Sequence, residues 1–205
     1  MKALLIILFL GVVPALTLAY AADPGAVSAL TRVLLYVQFD RTAPQPVFDS
    51  MRKEVDVIMA PAGFHIEWRS LPSTGDGETA SELAVITVKG SCDVNRPAPH
   101  NMNVGALGWT HLSDGVILPF TDLDCSGLNS FIGAQLAGMR PAERANVFGR
   151  ALGRVLAHEL YHIFANTRHH AHDGVGKSSY SVEDLLSDSF RFGEREAAAL
   201  RAPTL

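Results

Sequence analysis

Cysteine is scarce in this chain, with two in 205 residues, Cys92 and Cys125. That excludes a cysteine-rich disulfide scaffold and a metal held by four thiolates. A strong excess of either charge is missing too: 17 Lys and Arg stand against 21 Asp and Glu, for a net charge of −4. There is no basic patch and no aromatic-interleaved Lys/Arg run, so nothing points to a nucleic-acid partner. Repeats, low-complexity tracts and a second domain are also absent, and no methionine follows Met139.

One long apolar run exists, from Ala3 to Leu18, behind Lys2 and ahead of Ala19-Tyr20-Ala21. A charged start, an apolar centre and an A-x-A site read as a secretory signal over residues 1–21. Residues 22–205 are then expected to form a single exported domain, periplasmic or extracellular, monomeric and free of the membrane. Loss of Lys2 leaves 16 basic residues against 21 acidic ones, a net charge near −5. In an oxidising compartment Cys92 and Cys125 are expected to pair, a link worth about 3 kcal/mol.

Histidine is concentrated where the rest is sparse. Five of the eight histidines fall between positions 158 and 172. His158 and His162, four apart in His158-Glu159-Leu160-Tyr161-His162, share one helix face and can reach one ion. Glu159 sits about 100° round the helix, where it can hold a water beside that ion. Apart from Glu159, the stretch Val155 to Phe164 carries no Asp, Glu, Lys or Arg. Phe148, Leu152, Leu156, Leu160 and Phe164 recur every fourth residue, so the helix is expected to pack along its back and present the histidines from its other side. Pro141 marks its start and Asn166, tolerant of the left-handed conformation, its end. Neutral nitrogen ligands with an adjacent carboxylate suit zinc hydrolysis.

The stretch Val155 to Phe164 resembles the signature of the zincin metallopeptidases, and a third histidine on the following loop resembles the metzincin branch. Strict metzincin spacing puts the helix-ending glycine and the third histidine at Ala165 and Arg168, and arginine does not ligate zinc. The chain is also similar to small exported bacterial zincin-like proteins with a later third histidine followed by a Gly-x-Met turn. That resemblance implies His170 as third ligand, with His169 in reserve, and Gly174-Val175-Gly176 as the turn, lacking its methionine. A gluzincin-like set would instead use Glu183. Ser181 and Asp184 also read as an ordinary helix N-cap with an acidic first turn. Asp173, Asp184 and Asp188 are candidates for orienting a ligand imidazole. His172 and Lys177 read as solvated, and Tyr161 as core.

Strands are expected at Thr31–Phe39, Phe64–Trp68, Leu83–Val88, Val104–Thr110 and Gly115–Phe120, with a helix at Pro46–Met59 and a loop at Pro72–Thr79. The polar stretch 121–124 should end the last strand, and the histidine helix should follow. The resemblance implies an α+β, metzincin-like single domain: a twisted mixed sheet with an antiparallel edge, packed on two long helices, the second bearing the motif. A strand between 104 and 120 would face the substrate. It further implies a zinc metalloendopeptidase acting on peptides or proteins. Zinc on His158, His162 and His170 would activate water, Glu159 would serve as general base, and Tyr180 is a candidate transition-state stabiliser. A catalytically inactive, metal-binding interaction protein of the same fold is the alternative.

Overall fold

A computed structural model describes residues 30–71, 79–95, 101 and 103–202. The expected signal over 1–21 and most of the expected loop at Pro72–Thr79 lie outside the described residues. The first strand, β1 (Thr31–Phe39), is a largely continuous apolar run, as an interior strand covered on both faces should be: Val33, Leu34, Leu35 and Val37 are buried while Gln38 is exposed. Helix α1 (Gln45–Met59) follows, started by Pro46 and buried along Val47, Met51, Val55 and Ile58. A short 3-10 turn over Ala60–Ala62 ends at Gly63, whose φ of 99° turns the chain into β2 (Phe64–Ser70). Strand β3 (Glu82–Lys89) comes next. A hairpin of β4 (Gly108–Ser113) and β5 (Val116–Asp124) then closes through Asp114 and Gly115, both at positive φ.

The five strands form one sheet in the order β2-β1-β3-β5-β4. Pairings β1–β2, β1–β3 and β3–β5 are parallel and β4–β5 is antiparallel, so the domain is mixed α/β with a mostly parallel sheet. Strands β2 and β4 are the two edges, and β4 is the antiparallel one. Two sequence expectations need correction here. Residues 104–107 precede the strand rather than belong to it. The polar stretch 121–124 continues β5, because Thr121 and Leu123 point into the core while Asp122 meets Lys89 and His111 on the other side.

A helix the sequence reading lacked, α2 (Cys125–Leu136), follows β5 directly, its first turn capped by the Asp124 carboxylate accepting from Gly127 N–H. The Cys92–Cys125 disulfide ties its start to the segment after β3. Then comes α3 (Pro141–Phe164), the helix with the histidine motif, ending at Asn166 in the left-handed conformation with φ 44°. Its stripe Phe148, Leu152, Leu156, Leu160 and Phe164 is buried throughout. Helices α4 (Val182–Leu186) and α5 (Glu194–Arg201) complete the chain. None of the described helices is long and apolar enough to cross a membrane.

Helix α3 is seated on α1 by two small residues and one ion pair. A Cβ on Gly149 would lie 2.4 Å from the Val47 carbonyl, and one on Gly153 2.8 Å from that of Met51. Beside this close crossing the fully buried Arg154 donates to Glu54 at 2.8 Å. The same guanidinium also donates to the Asp184 and Ser187 carbonyls at 2.7 and 2.8 Å. One side chain therefore fixes α3 to α1 and to the chain that returns past the histidines.

Candidate metal centre

His158 and His162 are buried on the side of α3 that faces the returning loop. Nδ1 of His158 lies 2.8 Å from the Val175 carbonyl and Nδ1 of His162 lies 2.7 Å from that of Thr167. Carbonyls only accept, so each Nδ1 carries the proton and each Nε2 is left with a bare lone pair. These two Nε2 atoms face each other at 3.0 Å. Two lone pairs at that separation repel unless a cation lies between them. Burial draws the His158 imidazole down to about 4 and lowers His162 as well, against the raising effect of the carbonyl bonds, so both rings stay neutral at physiological pH.

His170 completes the group. Its ring centroid lies 5.3 Å from that of His158 and 4.9 Å from that of His162. One nitrogen from each of the three histidines falls within 4.8 Å of the others, the one such group among the described residues. Three imidazole donors at that convergence fit a zinc ion with an open position. His169 and Glu183 stand outside the group: His169 follows the Thr167 turn, and Glu183 lies in α4, whose N-terminus is a Ser181–Asp184 capping box. His172 is exposed on the loop.

The supports of the cluster are mostly backbone. Ala171 N–H donates to the Gly176 carbonyl at 2.7 Å, so the turn Gly174-Val175-Gly176 props up the His170 segment. Gly174 has φ 62°, and a Cβ there would lie 2.3 Å from the Arg191 carbonyl, which leaves glycine as the residue that fits. Val175 is fully buried, and its carbonyl accepts from both the His158 ring and the Tyr180 hydroxyl. The Tyr180 proton is thus directed to the support of His158 rather than into the cleft. Burial, and then the charges of Glu159 and Asp184, raise that phenol well above its ordinary value. Lys177, expected to be solvated, pairs with Asp184 at 2.6 Å, because the α4 cap brings that carboxylate within its reach. Asp184 caps a helix and binds Lys177, while the ligand rings are oriented by carbonyls.

Glu159 is buried beside the cluster. The Thr110 hydroxyl on β4 donates to its Oε2 at 2.8 Å. Burial pushes the Glu159 carboxyl up to about 7, against the lowering effect of the Thr110 bonds. Gly108 makes the approach of β4 possible, since a Cβ there would meet Val155 at 2.8 Å and the Glu159 side chain at 3.0 Å. Two cavities open at this point, of about 260 and 330 Å³, and both are lined by Gly108, His158 and Glu159. The smaller adds Phe131, Lys177 and Tyr180, and the larger adds Trp109, Leu112, Ile117, Arg168 and His170.

Residue type gives no sign of Thr110 or Gly108, because their roles depend on contacts with Val155 and Glu159 much further along the chain. The same holds for the carbonyls of Val175 and Thr167, because a backbone acceptor leaves no trace in residue type. The left-handed Asn166 and the i, i+4 histidines were legible signals.

No family model matches the chain, and no curated protein matches it. Among solved structures it is similar to the crystal structure of an archaemetzincin from Methanopyrus kandleri, at 16% identity and a TM-score of 0.47, over 87% of this chain and 97% of that one. At that level of likeness, the functional reading rests on the geometry of the three histidines and Glu159.

Proposed function

We propose that the chain is an exported zinc-dependent peptidase. The observation that carries the reading is the pair of facing imidazole Nε2 atoms, 3.0 Å apart and both without a proton, with His170 in reach and a buried carboxylate alongside. His158, His162 and His170 would hold the ion. Zinc bound there supplies a Lewis acid for a peptide carbonyl and brings a water toward ionisation at neutral pH.

The remaining work falls to the protein. Glu159 takes the proton of the attacking water as the new C–O bond forms at the carbonyl carbon. It then gives that proton to the leaving nitrogen as the C–N bond breaks. Thr110 holds Oε2 and thereby sets the direction of the other oxygen. The substrate backbone lies along β4, whose outer edge is unpaired in the sheet order and borders both cavities. Tyr180 contributes through Val175, stiffening the carbonyl that orients His158. A role as donor to the developing oxyanion would require it to leave that carbonyl. The Cys92–Cys125 disulfide agrees with an oxidising compartment, and the signal over 1–21 is the proposed route there.

The alternative, a metal-binding protein without turnover, gives Glu159 no task. Glu159→Gln separates the two. The expected result is full zinc content with peptide hydrolysis reduced at least about 1,000-fold. A variant that cleaves a peptide library at the wild-type rate contradicts the mechanism. Wild-type protein that holds zinc and cleaves nothing in the library favours the alternative.

A further inference from the structure

Arg168 stands on the wall of the larger cavity, at the position where strict metzincin spacing would put a ligand. The lining divides by chemistry. Trp109, Leu112 and Ile117 make an apolar side, and His158, His162, His170 and Glu159 make the reactive end. Arg168 is the single Lys or Arg among the described residues of this lining.

Near the site, Lys177, in the smaller cavity, is paired with Asp184 at 2.6 Å, and elsewhere Arg154 is paired with Glu54 and Lys89 with Asp122. Arg168 has no carboxylate within 4.0 Å among the described residues. Its backbone is nonetheless fixed. On one side the Thr167 carbonyl accepts from His162, and the Thr167 hydroxyl accepts from His169 N–H at 3.1 Å. On the other side, His170 belongs to the cluster. An exposed side chain on a pinned backbone puts an uncompensated guanidinium on the wall of this cavity, within a side chain's reach of the reactive end.

We propose that Arg168 selects substrates by binding a carboxylate on the part of the peptide that occupies this cavity. The inference rests on the peptidase reading for its consequence and on the lining of the cavity for its content. A guanidinium offers a planar fork of donors that matches a carboxylate bidentately, which no other side chain here can do. The apolar side from Trp109 to Ile117 matters as well. In open solvent such a pair is worth little, but a peptide laid against Trp109, Leu112 and Ile117 excludes water from it. The carboxylate has two sources, an acidic side chain next to the cleaved bond or the free C-terminus of a short peptide.

Two peptide pairs separate the sources: one differing only in Glu against Gln beside the cleaved bond, the other only in a free against an amidated C-terminus. Hydrolysis of all four by the zinc-loaded protein is compared with their binding to zinc-loaded Glu159→Gln by calorimetry. The expected result is a preference of about 10- to 100-fold for the carboxylate member of one pair, lost in Arg168→Gln while neutral peptides change less than about threefold. Preference in the first pair assigns the side chain, and in the second the C-terminus. No preference in either pair, or one that survives in Arg168→Gln, overturns the proposal. Should the wild type hydrolyse none of the peptides, the peptidase reading falls. The binding comparison, repeated with Glu159→Gln/Arg168→Gln, then decides the carboxylate site by the same criterion.

Discussion

His158 and His162 turn their Nε2 atoms toward each other at 3.0 Å while Val175 and Thr167 hold the opposite nitrogens. Each carbonyl fixes a tautomer, and together the two tautomers create a site that only an electron-pair acceptor relieves. His170 is different in kind, being exposed and carried by a loop. Its position depends on the Ala171–Gly176 backbone bond and on the glycine turn beneath it.

His170→Ala is therefore expected to weaken zinc binding more than about 100-fold, beyond the effect typical of losing a supporting contact. His169→Ala and Glu183→Ala should stay within a few-fold of wild type. Competition against a chromophoric chelator ranks the three. Equal affinities for wild type and His170→Ala would remove His170 from the ligand set.

Glu159 carries a cost in the metal-free protein. Its carboxyl titrates at about 7 folded against 4.5 as an ordinary glutamate, so the folded state keeps the proton longer. A raised value means that the contribution to stability is fully present below pH 4.5 and is lost as pH rises through 7. Glu159→Gln should consequently stabilise the metal-free protein by about 2–4 kcal/mol above pH 7, with the gain vanishing below pH 4.5. Urea unfolding at pH 4.5 and pH 8 in the presence of a chelator measures it. A gain that is equal at both pH values would show that ionisation is not its source.

Arg154 and Glu54 are a buried pair bridging α1 and α3, with the Asp184 and Ser187 carbonyls on the same guanidinium. Removing one partner leaves the other charge buried. Glu54→Ala is expected to destabilise the fold by about 3–5 kcal/mol, judged by the shift of the denaturant midpoint. A loss below about 1 kcal/mol would mean that water reaches Arg154 readily.

At Gly149 two tendencies conflict. Alanine inside a helix is favoured over glycine by about 1 kcal/mol. Here the added Cβ would stand 2.4 Å from the Val47 carbonyl and 2.6 Å from the Ser50 Cβ, and the first of these is backbone. Overpacking should win, so Gly149→Ala is expected to lower stability by about 1–3 kcal/mol. A raised melting temperature would show that α1 can retreat at little cost.

Much of this arrangement could be read from residue order, for identifiable reasons. Strand β1 is a Val-, Leu- and Tyr-rich run from Thr31 to Phe39, and helix α3 repeats an apolar residue every fourth position between Pro141 and Asn166. Helix α2 was hidden because Ser126, Gly127, Asn129 and Gly133 blur its apolar pattern, and because Asp124 serves at once as strand end and helix cap. The extent of β5 was hidden by Thr121 and Asp122, polar residues that the strand places on opposite faces of the sheet. At the site, side chains that bind through their own chemistry stood out, above all His158 and His162. Groups that act by register or through the backbone did not: Thr110, Gly108 and the Val175 carbonyl acquire a role only once β4 and the loop are folded against α3.

Zinc stoichiometry tests the centre of this account most directly. Purified, folded protein titrated with zinc against a competing chelator should take up one ion per chain, with uptake abolished in His158→Ala and His162→Ala. Folded wild-type protein that takes up no zinc, or that binds it unchanged after both histidines are replaced, would contradict it.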